Sequence, residues 1–311
     1  MKSLKLMVSV LAMATASTFA TQAVAQTKIV VGYTSLSGVA PIFIAKDKGY
    51  FDKRGLDVEL QALRGGNVLV PSLVANSIQV ATLTAPTLVQ AVDGGIDLVG
   101  LTTLSVLTAG MTNSGVLART GVDIKTAKDF NGKRLAVPTL GSISHVLFDK
   151  WMALKGGDPK TVKWVEVSFP QMPDVIKTGN LDGVIIPDPL MTKIIQDGTG
   201  YVVSHFFGEL PDGTRAMVSA SSRDWVTKNP KEVAGYRAAI AEAVAFGNAN
   251  MDETKQIVGK WLKLSPEVMQ QTQIEKLVAE LGPGEMKWWV DTLAEQNLTR
   301  TKVDPVAIVL K

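Results

Sequence analysis

The chain has 311 residues, a formal net charge of +3 and 46% hydrophobic residues, and it contains no cysteine and only two histidines. This length suggests two domains with substantial cores, and the near balance of charges, without a basic block, argues against a nucleic-acid partner. The absence of cysteine excludes thiolate nucleophiles, thiolate metal sites and a lipid-bearing cysteine, and an imidazole-rich metal site is nearly excluded.

Residues 1–25 have the pattern of a secretory signal peptide. Lys2 and Lys5 give a basic start, residues 6–20 are apolar or small, and Ala23-Val24-Ala25 is a small-x-small cleavage site. A membrane anchor is disfavoured because the apolar run is shorter than the roughly 20 residues that a bilayer requires. We therefore expect a freely soluble protein in the periplasm of a double-membraned bacterium.

The remaining chain opens with alternating strand and helix signals. A buried-strand run (IVVGY, residues 29–33) leads through a polar turn at residues 34–38 to an apolar helix signal. The later elements of this series are strands at 56–60, 78–82 and 97–104 and helices at 68–75 and 86–93. Strands that alternate with helices through short glycine-containing turns predict a mostly parallel sheet.

A second α/β series follows a polar, turn-rich stretch at residues 120–132. Its signals are strands at 134–137, 162–167 and 181–186 and helices at 144–155, 172–178 and 189–197. The chain then gives a strand at 216–220 and helices at 230–250, 253–262, 266–278 and 285–296. The order of these signals indicates that a second small domain is inserted into the first.

We therefore predict an α/β protein of two lobes with a discontinuous first lobe. Residues 26–115 and 216–311 form lobe I, and residues 116–215 form lobe II. Two crossing segments, near Met111–Arg119 and Arg215–Ser222, would form a hinge between them. Because small ligands bind at the carboxyl ends of strands in open α/β sheets, the turns after the strands are the candidate ligand site.

Three runs of the sequence resemble the ABC-importer solute-binding proteins for sulfonates, taurine, nitrate and related compounds. They are PIFIAKDKGYF followed by GLDVEL (residues 41–60), DFNGKRLAV followed by GSISH (129–145), and GNLDG followed by Asp188-Pro189 (179–189). The resemblance covers almost the whole chain after residue 25. It implies a type II periplasmic binding protein fold, in which two lobes close on one solute, but says little about which solute.

The turn GSISH, residues 141–145, is the strongest candidate on the lobe II side. A glycine-containing turn that opens a helix presents free backbone N–H groups, and the helix dipole favours an anion there. Ser142 and Ser144 can add hydroxyl donors, although either can instead cap the helix. For His145 we expect a structural or ligand-contact role, because no nucleophile accompanies it. The resemblance implies that this turn contacts the ligand.

The other candidates lie in turns that follow strands. Ser35, Ser37 and Thr84 can offer neutral hydrogen bonds, and Arg64 can pair with an acidic ligand group, but each also suits a surface, turn or cap role. By resemblance Asp188 lies near the cleft, although it can equally cap the following helix. The remaining candidate ligand contacts are Leu36, Gly65, Asn67, Ala85, Ser105, Thr139, Gly141 and Arg215.

The resulting expectation is a capture protein that binds a small, anionic organic solute and delivers it to an ABC permease and its ATPase. It would be a monomer without a cofactor, a metal or a catalytic residue. One alternative is an enzyme, since pyrimidine synthases of thiamine biosynthesis and some menaquinone-pathway enzymes are similar in fold. Another is a sensor that presents its liganded form to a receptor. A carboxylate or a neutral heterocycle remains open as the ligand beside a sulfonate.

Overall fold

The computed structural model describes residues 27–63 and 65–311, so the predicted signal peptide and Arg64 lie outside the described residues. The strands are β1 (Thr27–Tyr33), β2 (Leu56–Ala62), β3 (Val80–Thr84), β4 (Leu98–Val106), β5 (Ser114–Arg119), β6 (Arg134–Val137), β7 (Lys163–Glu166), β8 (Gly183–Pro187), β9 (Gly200–Ser204), β10 (Arg215–Ser222) and β11 (Lys276–Leu277). The α-helices are α1 (Ala40–Asp47), α2 (Gly66–Val74), α3 (Ala85–Asp93), α4 (Ile143–Leu154), α5 (Met172–Val175), α6 (Leu190–Gln196), α7 (Arg223–Lys228), α8 (Pro230–Ala249), α9 (Met251–Leu262), α10 (Pro266–Gln271) and α11 (Lys287–Glu295). Within the described residues, none of these helices combines the length and apolar character needed to span a membrane.

The first sheet has the strand order β11-β4-β10-β3-β1-β2. β1 pairs in parallel with β2 and β3, whereas β10 runs antiparallel to both β3 and β4. Helices α1, α8 and α9 bury Phe43, Tyr236 and Ile257 on one face of this sheet. The sheet is mixed rather than mostly parallel because β10, which returns from the second sheet, enters in the opposite direction.

The second sheet has the order β7-β6-β8-β5-β9, with β6 parallel to β7 and β8, and β5 antiparallel to β8 and β9. Met172 of α5 and Ile194 of α6 belong to the core on one face. The edge strand β9 was not predicted from the sequence. Two α/β sheets confirm the predicted fold class, while the lobe limits proposed from the sequence remain a prediction.

Two connections join the sheets, and they run side by side. Residues 107–113 lead from β4 to β5, and residues 205–214 lead from β9 back to β10. Leu107 donates its backbone N–H to the carbonyl of Thr214 at 2.8 Å, and Gly213 donates to the carbonyl of Leu107 at 2.9 Å. The segments predicted as the hinge, Met111–Arg119 and Arg215–Ser222, lie mostly within β5 and β10, because their apolar residues are buried in the sheets.

One of the hydrophobic clusters extends from one sheet to the other. Phe148 and Trp151 of α4 belong to the same buried cluster as Leu88 of α3 and Trp289 of α11. Helix α4 contacts both α3 and α11 directly. The two lobes therefore share apolar side chains in addition to the two connections.

The segment after α10 differs from the predicted helix at residues 266–278. The helix ends at Gln271 because Thr272 takes an extended backbone with ψ of 123°. Residues 272–275 then run toward the gap between the sheets, and β11 pairs with β4 in antiparallel register. This departure from the helix places Glu275 at the candidate site.

Candidate functional site

A cavity of about 230 Å³ lies between the two sheets and is lined from both lobes. The polar residues along its wall are Ser35, Ser37, Asn113, Ser114, Ser144, Asp188, Thr272 and Glu275. Most of the remaining wall is apolar, with Leu36 and Met217 on the lobe I side and Ile143, Phe169 and Phe207 on the other. A concave, mostly apolar space with a few convergent polar groups is the usual form of a small-molecule site.

On the lobe I side, the turn after β1 meets the segment before β11. Ser37 begins a short 3₁₀ helix that leads into α1, and its hydroxyl donates to Oε2 of Glu275 at 2.9 Å. Burial raises the pKa of the Glu275 carboxyl, and hydrogen bonds from its own backbone N–H, the Ser37 hydroxyl and the Asn113 amide only partly offset this rise. The cavity thus contains a desolvated acidic group without a cationic partner among the described residues.

Asn113, in the first connection, links this acid to lobe II. Its Nδ2 donates to the carbonyl of Gln273 at 3.3 Å, and its own carbonyl accepts the N–H of Asp188 at 2.9 Å. The side chain is 8% exposed, and its Oδ1 has no hydrogen-bond partner among the described residues. An acceptor buried without a partner costs stability, so this oxygen is ready to accept from a ligand.

Asp188 lines the cavity and lies two residues before the start of α6. Its Oδ1 accepts from the backbone N–H of Thr192 at 3.1 Å and from the Thr192 hydroxyl at 2.7 Å. The peptide bond between Asp188 and Pro189 is cis. The two roles left open by the sequence, cleft residue and helix cap, are therefore both present in the geometry.

The GSISH turn contributes Ser144, which is buried and lines the cavity in the first turn of α4. Gly141, at φ +74°, donates its N–H to Nδ1 of His145 at 2.9 Å, and its carbonyl accepts from Gln90 of lobe I at 3.0 Å. Gly141 and Ser142 are not part of the cavity wall; the Ser142 hydroxyl is buried without a partner among the described residues. The N–H of the turn's glycine is thus used within the fold.

His145 faces a different surface depression, with Asp149 and Trp164. Its ring packs edge-on against Trp164 with centroids 4.8 Å apart, and its Nε2 lies 3.4 Å from Oδ2 of Asp149. Burial lowers the pKa of His145 to about 4 and raises the pKa of Asp149 to about 7. The imidazole is therefore neutral at physiological pH and accepts the Gly141 N–H through Nδ1.

Other predicted contacts lie outside the cavity wall. The Arg215 guanidinium pairs with Glu285 and donates to the carbonyl of Gly213 at 2.9 Å. The hydroxyl of Thr84 bonds that of Thr87 at 2.7 Å, and the hydroxyl of Thr139 donates to the preceding carbonyl. The fully buried Ser105 lies beneath Gly38, its Oγ being 2.6 Å from the place that a Cβ of Gly38 would occupy. Also outside the wall are Gly65, Asn67 and Ala85 at the starts of α2 and α3.

Sequence reasoning missed Glu275, Asn113 and, except for Leu36, the apolar residues of the wall. The sequence places Glu275 in the interior of a predicted helix and Asn113 in the first predicted crossing segment, Met111–Arg119. The sequence feature that could have indicated the end of the helix is Thr272, a short, polar, β-branched residue. Within the described residues, no group of three or more acidic or histidine side chains converges as a metal site.

Comparison with known proteins identifies relatives of the chain. The model of the NMT1-like family matches residues 22–263. The chain is 25% identical over 275 residues to the bicarbonate transport ATP-binding protein CmpC of Synechococcus elongatus, a match that covers 83% of this chain but only 41% of that protein. It is also 25% identical over 285 residues to a putative binding protein of Brucella abortus, covering 88% of this chain and 86% of the relative.

Among solved structures, the alkanesulfonate-binding protein SsuA from Xanthomonas axonopodis pv. citri, bound to MOPS, has a similar fold. The TM-score is 0.76 at 19% sequence identity, and the match covers 91% of this chain and 98% of SsuA. At this level of identity the likeness supports the fold of two α/β lobes, and it leaves the ligand to be decided from the residues of the cavity.

Proposed function

The chain belongs to the NMT1-like family, and we propose that it is the solute-binding component of an ABC importer. It captures one small organic molecule in the cavity between its lobes and presents the liganded form to a permease and its ATPase in the inner membrane. The protein acts as a soluble monomer in the periplasm after removal of residues 1–25, and it makes or breaks no bond in the solute.

The main support for this proposal is that residues from both lobes line the cavity. Ser37 and Glu275 come from lobe I, whereas Ser144 and Asp188 come from lobe II, and Asn113 lies on a connection between them. A ligand held by both sides favours the conformation in which the sides approach, which is how binding shifts a two-lobed protein toward closure. The match to a putative binding protein of Brucella abortus, which covers 88% of this chain and 86% of the relative, supports the same role.

The proposal is tested by a thermal-shift screen of the refolded protein, because refolding removes any solute carried over from the cells. The panel contains alkyl sulfonates, taurine, nitrate, bicarbonate, carboxylates, pyrimidines and amines. A solute at 100 times its dissociation constant should stabilise the fold by about 2.7 kcal/mol. Native mass spectrometry of the unrefolded protein identifies a carried-over solute independently.

A pair of variants assigns the binding to the cavity. Phe169→Ala removes an apolar wall residue, whereas Leu154→Ala shortens a side chain on α4 that is 63% exposed and outside the cavity wall. We expect the first variant to weaken the hit and the second to leave it unchanged. Capture in this cavity would be contradicted if both substitutions changed the affinity for the solute equally, or if Phe169→Ala left the affinity unchanged.

A further inference from the structure

The cavity of the proposed binding protein is rich in hydrogen-bond acceptors. Two carboxylates, Glu275 and Asp188, share its wall with the Oδ1 of Asn113, while no Lys, Arg or His of the described residues lines it. Resting on the proposed function, we infer that the solute is an organic cation: an apolar body that bears a protonated amine or amidine.

Glu275 is the acceptor that would receive the cationic group. Oε2 accepts the Ser37 hydroxyl at 2.9 Å, and the Asn113 amide and the Glu275 backbone N–H also hydrogen-bond the largely desolvated carboxyl, so every donor that it has is neutral. A carboxylate removed from water needs a charged or strongly donating partner to offset its desolvation. Since the described wall supplies no cation, a ligand ammonium group is the partner that completes the pair.

Asn113 supplies a second indication. Its Nδ2 donates to the carbonyl of Gln273 at 3.3 Å and its amide also hydrogen-bonds Glu275, whereas its Oδ1 has no hydrogen-bond partner among the described residues. The side chain is buried and lies on the cavity wall beside Glu275. An ammonium or amidinium group carries several N–H donors and can reach a carboxylate and an amide oxygen together.

The remaining wall fits an apolar body attached to that group. Its lining includes Met217 and Leu262 from lobe I and Phe169 and Phe207 from lobe II. Apolar surface of the solute would be removed from water against these side chains. A sulfonate or carboxylate of the same shape would instead place a negative charge in the same enclosed cavity as two acidic groups, where like charges repel.

The experiment compares solutes that share one body and differ in charge. Hexylamine, benzylamine and benzamidine are titrated into the refolded protein by calorimetry at pH 8, beside hexane-1-sulfonate, hexanoate and benzoate. We expect at least one cation to bind at least tenfold more tightly than its anionic counterpart. Tighter binding of an anion than of its matched cation would overturn the inference while leaving solute capture intact, and no binding of any compound would overturn both.

Two acidic residues of one segment provide the matched variants. Glu275→Gln keeps the shape and removes the charge in the cavity, whereas Glu280→Gln does the same at an exposed position five residues later. We expect the first to weaken the cation at least tenfold and the second to change its affinity less than twofold. An unchanged affinity in Glu275→Gln would show that the cation binds elsewhere, and the inference would fall.

Discussion

Replacing Glu275 by glutamine should stabilise the ligand-free protein at alkaline pH. Burial raises the pKa of this carboxyl above its ordinary value of 4.5. A group whose folded-state pKa is raised contributes stability that is fully present below the unfolded pKa and is lost as pH rises through the folded one. Glutamine stays neutral at every pH and can still accept the Ser37 hydroxyl, so it avoids that loss.

The size of the effect follows from what surrounds the carboxylate. Only neutral donors stabilise the charge, namely the Ser37 hydroxyl at 2.9 Å, the Asn113 amide and the Glu275 backbone N–H, and the other charged residue on the cavity wall, Asp188, has the same sign. Single stabilising substitutions commonly add about 0.5–2 kcal/mol. We expect about 1 kcal/mol at pH 8, equivalent to a melting temperature raised by about 2–4 °C, and little difference near pH 4.

The assay is urea unfolding of the refolded protein and the variant at pH 4, 6 and 8, with ligand absent. Glu280→Gln is the control for a neutralised acid on the surface, and it should track the original protein at all three values. The reasoning would be refuted if Glu275→Gln were less stable than the original protein at pH 8, or if the two differed by the same amount at each pH. Either result would show that desolvation of the Glu275 carboxylate does not destabilise the ligand-free protein.

Three further predictions concern the core and the motion of the lobes. In Gly183→Ala the new Cβ would lie 2.4 Å from the backbone oxygen of Leu117, so we expect the free energy of unfolding, measured with urea, to fall by about 3 kcal/mol. The control is Gly179→Ala, where the new Cβ meets open space at φ +77° and the loss should be about 1–2 kcal/mol. Equal losses in the two variants would contradict the clash with Leu117. Tyr236→Phe removes a buried hydroxyl that lies 2.7 Å from that of Ser219, so we expect a loss of about 1–2 kcal/mol by the same assay, and an unchanged stability would count against that bond. A saturating solute should reduce the radius of gyration measured by X-ray scattering, and superimposable curves would contradict lobe closure.

Local pattern was sufficient for the elements that build the first sheet. The alternation of buried Ile29, Val31 and Tyr33 along β1 comes from the chain itself, as does the apolar face of α1. Such signals depend on neighbours in sequence, and they placed most strands and helices within a few residues. The loop at Ser35 and Ser37 could be named as a cavity wall because the end of a parallel strand has a fixed place in the fold.

The features of the site that could not be predicted from the sequence depend on contacts between residues that are distant along the chain. Arg215 was a plausible ligand partner, yet Glu285, which is 70 residues away, pairs with its guanidinium. Glu275 looked like one position of a helix until the pairing of β11 with β4 drew that segment into the sheet. A carboxylate becomes a cavity group only through such tertiary pairing, so its role cannot be read from residues adjacent in sequence.

The core that Phe148 and Trp151 share with Leu88 and Trp289 also limits how this architecture can be rearranged. Two of the helices that α4 contacts, α3 and α11, lie in the segments that precede and follow the inserted lobe. If the inserted lobe were exchanged as a cassette between relatives, its α4 would meet an α3 and an α11 shaped for a different helix. Chimeras should therefore keep these three helices from one parent, and substitutions along them should be inherited together, although more than 130 residues separate α4 from α11.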